Sequence, residues 1–150
     1  MSRRDQIQMT DEEVRRFIEA SKTIILTTNG PGGYPHPMPM WFLRADDGTI
    51  SITTYKSSQK VQNLRRDPRV SLLVESGDEY SELKGVVLYA NAEVIDDFET
   101  VVDTLIAASG QRNEPEIREA LKKTASKRVV IRIKPERVVS WDHSKLGGTY

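Results

Sequence analysis

Near the start of the chain the apolar positions Val14, Phe17 and Ile18 recur three and four apart behind Thr10-x-x-Glu13, the spacing of a capping box. The pattern predicts a short amphipathic helix over 10–21. From 23 the period shortens. Residues 23–28 (TIILTT) are β-branched and apolar, and the glycines of Asn29-Gly-Pro-Gly-Gly33 permit a tight turn, so a hairpin is expected. Its returning strand is 37–44 (PMPMWFLR). Pro37 and Pro39 cannot donate to a ladder, which predicts an edge, a bulge or a ligand-facing position, with an irregular first half. Asp46-Asp-Gly48 supplies a second turn into 49–55 (TISITTY), whose alternation makes the clearest strand so far and the third in antiparallel succession.

Helical spacing returns over 57–67, where serines can cap, Val61 and Leu64 lie three apart and Pro68 stops the run. Two further strands follow at 69–75 and 84–95 across the polar loop 76–82, bringing the sheet to five. Phe98, Val101, Val102, Leu105 and Ile106 form a stripe closed by Gly110, and Pro115 opens a helix over 114–124; together they predict a helical insert at 97–124. Alternation resumes at 128–133, where Arg128 and Arg132 interleave with Val129, Ile131 and Ile133, and again at 137–142 beyond Pro135. Residues 144–150 form a polar, glycine-bearing tail. Strands that follow one another across turns, without a βαβ rhythm, predict a mainly β fold with peripheral helices, an antiparallel barrel or sandwich.

Length sets the number of cores: 150 residues suffice for one and fall short of two of ordinary size, so 1–150 is read as a single domain. The 22 basic residues balance 22 acidic ones, so no whole-molecule field draws the chain to nucleic acid or to an anionic membrane, and an anion site has to be local. The absence of cysteine excludes disulfides, thiolate metal sites, iron–sulfur clusters and cysteine nucleophiles. The opening MSRRDQIQMTDEE lacks an apolar stretch, and no run of ~20 apolar residues occurs, so a cytoplasmic protein is expected.

Within 53–67 (TTYKSSQKVQNLRRD) a strand delivers Lys56, Ser57, Ser58 and Lys60 to the first turn of a helix. Free N–H groups and the positive end of the dipole there meet hydroxyls and ammonium groups, a combination that suits a phosphate. The bland alternative is capping serines and a solvated lysine face. At Tyr34-Pro-His-Pro-Met-Pro-Met-Trp-Phe42 prolines remove donors beside flat and polarizable side chains. That is a seat for a flavin-like tricycle, or else an edge strand with Met38, Met40 and Phe42 turned to the core. His36 and His143, the only histidines, are too far apart and lack nameable acidic partners, so no metal site is assigned. No nucleophile elbow, P-loop, dinucleotide fingerprint or zinc-protease motif occurs, and the glycines of 30–33 and 147–148 are turn and tail material.

The order helix, hairpin, strand ending in TTYKSSQK, then Asn63-Leu-Arg-Arg-Asp-Pro-Arg69 and an apolar strand resembles the pyridoxamine-phosphate-oxidase-like split β-barrel superfamily over nearly the whole chain. The ending Trp141-Asp-His-Ser-Lys-Leu-Gly-Gly-Thr-Tyr150 is similar to tails in its branch of coenzyme F420 (deazaflavin)-dependent oxidoreductases. The resemblance implies an antiparallel split β-barrel that forms a homodimer, with two cofactor sites in grooves between protomers. Lys56, Ser57, Ser58 and Lys60 would meet the cofactor phosphate, while Thr53, Thr54 and the backbone of Met38, Pro39, Met40 and Trp41 would line its ring. It further implies hydride transfer from reduced coenzyme F420 to a conjugated organic acceptor of enone, quinone or tetrapyrrole type. The cofactor would hold the hydride, and the protein would supply orientation, electrostatics and exclusion of water. No side chain stands out as a general acid; His36, Tyr55 and solvent are the candidates. Many relatives that prefer FMN carry arginine in the phosphate-binding run, where this chain has lysine and serine. The alternatives are an FMN-dependent oxidase or reductase of the same fold and a non-catalytic protein that binds or carries coenzyme F420.

Overall fold

A computed structural model describes residues 1–148; Thr149 and Tyr150, the end of the tail, lie outside the described residues. Two helices open the chain, α1 (Arg3–Ile7) and α2 (Asp11–Glu19). At α2 the Thr10 hydroxyl accepts from the Glu13 N–H and the Glu13 carboxylate accepts from the Thr10 N–H, the reciprocal cap read from the sequence. The apolar face of α2, Val14, Phe17 and Ile18, packs on the main core.

Eight strands follow: β1 (Thr23–Asn29), β2 (Pro35–Trp41), β3 (Leu43–Arg44), β4 (Ile50–Tyr55), β5 (Arg69–Ser76), β6 (Lys84–Ile95), β7 (Arg128–Ile133) and β8 (Arg137–Asp142). Helix α3 (Gln59–Arg66) joins β4 to β5, and α4 (Phe98–Ser109) with α5 (Pro115–Ala125) forms the insert between β6 and β7. Every pairing is antiparallel, in the order β2-β1-β5-β6-β7-β4-β3, with β8 on β6. The two ends of that path, β2 and β3, are separated along the chain by Phe42 alone. The sheet therefore curls until its ends approach, giving the split barrel. Long β6 serves both halves, pairing with β8 through Lys84–Tyr89 and with β7 through Ala92–Ile95.

Two expectations are corrected here. The strand expected over 37–44 breaks at Phe42: β2 pairs with β1, whereas β3 forms the expected antiparallel hairpin with β4 across the 46–48 turn, and the other neighbour of β4 is β7, beyond the insert. The proline-rich strand is also not irregular in its first half, since β2 runs in unbroken register with β1 from Asn29↔Pro35 to Thr23↔Trp41. The reason is parity. The turn closes with the Gly30 N–H donating to the Tyr34 carbonyl at 2.8 Å. Hydrogen-bonded pairs alternate from there, so Pro35, Pro37 and Pro39 all fall where their missing donors would face away from β1. The edge position read from these prolines holds, because β2 pairs with β1 only.

Inward-facing side chains of the strands, among them Ile24, Leu26, Ile50, Ile52, Leu72, Val86, Leu88, Ile131 and Ile133, are buried and fill the barrel. A second cluster, Val101, Val102, Ile106 and Ala125, seats α4 and α5 on Val130, on the outer face of β7. Strand β7 is thus buried on both faces, which explains the run Val129-Val130-Ile131.

Candidate functional site

The turn between β4 and α3 is held against the start of β7, where the Lys56 N–H donates to the Lys127 carbonyl at 2.9 Å. Ser58 occupies the N-cap of α3, but its hydroxyl makes no capping bond, and its Oγ is buried without a hydrogen-bond partner. The capping role expected of the serines is not seen at Ser58. Two residues on, the Lys60 side chain is buried, with 9% of the residue exposed, and its Nζ donates to Thr54 Oγ1 at 3.0 Å. Lys60 forms no ion pair among the described residues. Burial, and after it the positive charge of Arg128, hold the Lys60 pKa below the ordinary lysine value. A buried ammonium served by one neutral hydroxyl is poorly compensated.

The neighbouring residues divide in ways that spacing alone does not reveal. Lys56 is engaged by Asp96 at 2.8 Å, and Ser57 is exposed. Thr53 and Thr54, adjacent on a strand, lie on opposite faces: Thr54 is buried beside Lys60, whereas Thr53 lines a cavity. That cavity, of about 770 Å³, lies between the β2–β3 corner, β4 and α4. Pro39, Met40 and Trp41 form part of its wall, Thr104 and Ala108 of α4 face them, and Arg128 of β7 lines it too. Met38 lies on β2 outside the lining, partly exposed.

Arg128 is the residue that sequence reasoning missed. It stands across the ladder from Tyr55, with its guanidinium 4.4 Å from that ring's centroid and its Nε buried without a partner. Alternation along 128–133 placed Arg128 opposite the core-facing valines and isoleucines, but alternation does not distinguish a solvent face from a cavity wall. His36 pairs across the ladder with Thr28, and its Nδ1 is buried without a partner; Tyr55 is half exposed beneath Arg128. Neither lines the cavity. His143 lies elsewhere, its Nδ1 3.0 Å from the Tyr80 carbonyl oxygen. The described part of the tail is docked, with Lys145 Nζ donating to the Glu13 carboxylate at 2.6 Å and to the Gln8 carbonyl at 2.9 Å.

Residues 10–142 match the family model of pyridoxamine 5′-phosphate oxidase. The chain belongs to this family. The crystal structure of conserved hypothetical protein Rv2991 from Mycobacterium tuberculosis is 37% identical, over 100% of this chain and 95% of that one, with a TM-score of 0.84. An F420 reductase shares the fold at 20% identity over 83% of this chain and 94% of its own, with a TM-score of 0.60. A FAD-binding protein from Mesorhizobium loti does so at 19% identity, over 89% and 93%, with a TM-score of 0.66. No curated protein matches the sequence.

Pyridoxamine 5′-phosphate oxidase-like barrels accommodate flavin or deazaflavin cofactors. The residues of this chain fit such a group on their own geometry. Arg128, its Nε orphaned, lines a cavity of ring size, while Lys60, without a counter-ion among the described residues, and Ser58, its Oγ orphaned, stand at the adjoining β4–α3 turn outside the lining.

Proposed function

We propose that this protein is an oxidoreductase that binds coenzyme F420 and passes hydride from its reduced form to a conjugated organic acceptor. The observation that carries the reading is Arg128 in the wall of the cavity that Pro39, Met40, Trp41 and Thr53 also line, with the uncompensated Lys60 ammonium at the adjoining β4–α3 turn. The likeness to an F420 reductase supports the choice of cofactor. The bound deazaflavin supplies a two-electron hydride carrier. Lys60 and Ser58 would hold its phosphate, the β2 backbone at Pro39–Trp41 and Thr53 would orient its ring, and α4 would help exclude water. His36 and Tyr55 lie outside the cavity lining, so the proton that completes reduction comes from solvent.

One observation favours FMN as the second reading. The arginine that FMN-preferring relatives carry in the phosphate-binding run is absent from 56–60, yet β7 brings Arg128 close enough to that run to depress the Lys60 pKa. Titration with oxidised and reduced coenzyme F420 and, separately, with FMN, followed by fluorescence, tests both. Tighter deazaflavin binding with turnover of a quinone or enone panel supports the reductase. Binding without turnover makes the protein a carrier, and preference for FMN moves it to the flavin enzymes.

The working unit is a homodimer. Along the outer face of the sheet Pro39, Ile25, Leu73, Val87 and Val139 lie in one cross-strand row, and Pro39 also lines the cavity. A second copy seated on that row borders the site.

A further inference from the structure

We infer that a recess adjoining the cavity binds the acceptor, and that Arg132 and Ser51 in it select acceptors that carry a carboxylate. The inference rests on the reading above only in taking the ligand of the recess for an acceptor; the preference for an organic anion stands on the geometry of the recess itself.

The recess follows from the register of the sheet. Leu43 of β3, Ser51 of β4 and Arg132 of β7 stand side by side across three strands. One stripe of α4 at helical spacing, Thr100, Asp103, Thr104 and Ala107, closes the space over them, about 300 Å³. It shares Leu43, Ser51 and Thr104 with the larger cavity, so the two adjoin. Arg128 and Arg132 lie four residues apart on the outer face of β7, about 13 Å at the rise of a strand, with Val130 between them under α4. The first arginine lines the cavity and the second lines the recess. Room for a ring and room for a second molecule are thus laid end to end along β4, Thr53 bordering the first and Ser51 both.

Charge decides what the recess takes. The Arg132 side chain makes neither a hydrogen bond nor an ion pair among the described residues. Two carboxylates lie near it, and neither neutralises it. Asp103 is engaged by Arg118 at 2.6 Å, while Glu93, opposite Arg132 on β6, is exposed, lies outside the recess lining and forms no ion pair. The hydroxyls narrow the choice further. Thr100 donates to the Asp97 carboxylate and Thr104 to the Thr100 carbonyl, each at 2.7 Å, so neither keeps a proton for a ligand. Ser51, across the ladder from Arg132, has its hydroxyl uncommitted. The free side-chain donors of the recess are therefore one guanidinium and one hydroxyl on adjacent strands, a set that suits the two oxygens of a carboxylate. Leu43 and Ala107 supply apolar wall for the unsaturated body of the same molecule.

Cinnamate and its uncharged counterpart cinnamamide are the probes. Both are titrated against the full chain by ligand-observed NMR, for wild type, Arg132→Gln and Arg132→Lys. Wild type is expected to bind cinnamate about tenfold or more tightly than the amide, Arg132→Gln to bind the two alike, and Arg132→Lys to recover part of the preference. Arg132→Met is the second variant should Arg132→Gln fold poorly. A preference undiminished in Arg132→Gln or Arg132→Met, or none in wild type, overturns the inference. Cinnamate binding through Arg132 without uptake of coenzyme F420 or FMN fails the redox reading alone; cofactor uptake without any preference for cinnamate fails this one alone.

Discussion

Asn63, wholly buried in the middle of α3, donates through Nδ2 to the Thr28 hydroxyl of β1 at 2.9 Å, while its Oδ1 accepts from Gln59 and Arg66, each at 2.7 Å. This side chain sets how α3, and with it Lys60, sits on the barrel. Asn63→Leu removes the donor and leaves the buried Thr28 hydroxyl without it. We expect a loss of about 1–3 kcal/mol in chemical denaturation. If the β4–α3 turn holds the cofactor phosphate as proposed, cofactor affinity should fall as well.

Lys60→Met should separate stability from function. Removing a buried, uncompensated charge raises the Tm of the ligand-free protein while abolishing anion binding. The gain depends on pH. Folding lowers the Lys60 pKa, so the unfolded chain binds that proton more tightly, and wild-type stability from this group rises as pH climbs from the folded value toward the ordinary lysine value. The Tm difference between variant and wild type therefore narrows on the alkaline side. A constant difference from neutral to alkaline pH would assign the effect to packing.

Trp41 is an optical reporter of the cavity. It is 82% exposed and lines the cavity, whereas Trp141, the other tryptophan, is packed against Gly85. A ligand filling the cavity should shield Trp41 from acrylamide, and Trp41→Phe should erase the change. Shielding that persists in that variant places the ligand elsewhere.

Gly85 lies beneath the Trp141 ring so closely that an added Cβ would stand 2.1 Å from Cζ2. Gly85→Ala should cost about 1–3 kcal/mol through overpacking. It should also red-shift the Trp141 emission as the ring is pushed off β6; unchanged stability would mean the ring moves aside freely.

Leu73 sits at the centre of the cross-strand apolar row on the outer sheet face. If that row is the dimer contact, Leu73→Glu yields monomers by light scattering and weakens cofactor binding. A dimer that survives it makes its contact elsewhere.

Much of this fold is legible in the sequence because its signals are local. Thr10 and Glu13 cap α2, Gly110 takes the left-handed conformation that ends α4, and the Asp47 carboxylate accepts the Thr49 N–H in the turn before β4. What local pattern does not carry is which strands meet. The pairing of β4 with β7 joins segments on either side of α3, two strands and the insert, so no neighbouring residue signals it. The same distance hid Arg128. The run 56–60 looks like a phosphate-binding turn by itself, but its partner cation arrives from the far side of the insert. Even within that run, only the fold separates a lysine tied to an exposed carboxylate from one buried without any.

The alternating prolines of β2 also bear on how the chain behaves at high concentration. An open strand edge ordinarily recruits another strand and seeds aggregates, but here every second position on the outer side lacks a donor. Strand addition at the edge beside the cavity is therefore disfavoured. Restoring a single N–H, as in Pro37→Thr, would leave the β1 ladder intact while making that rim sticky.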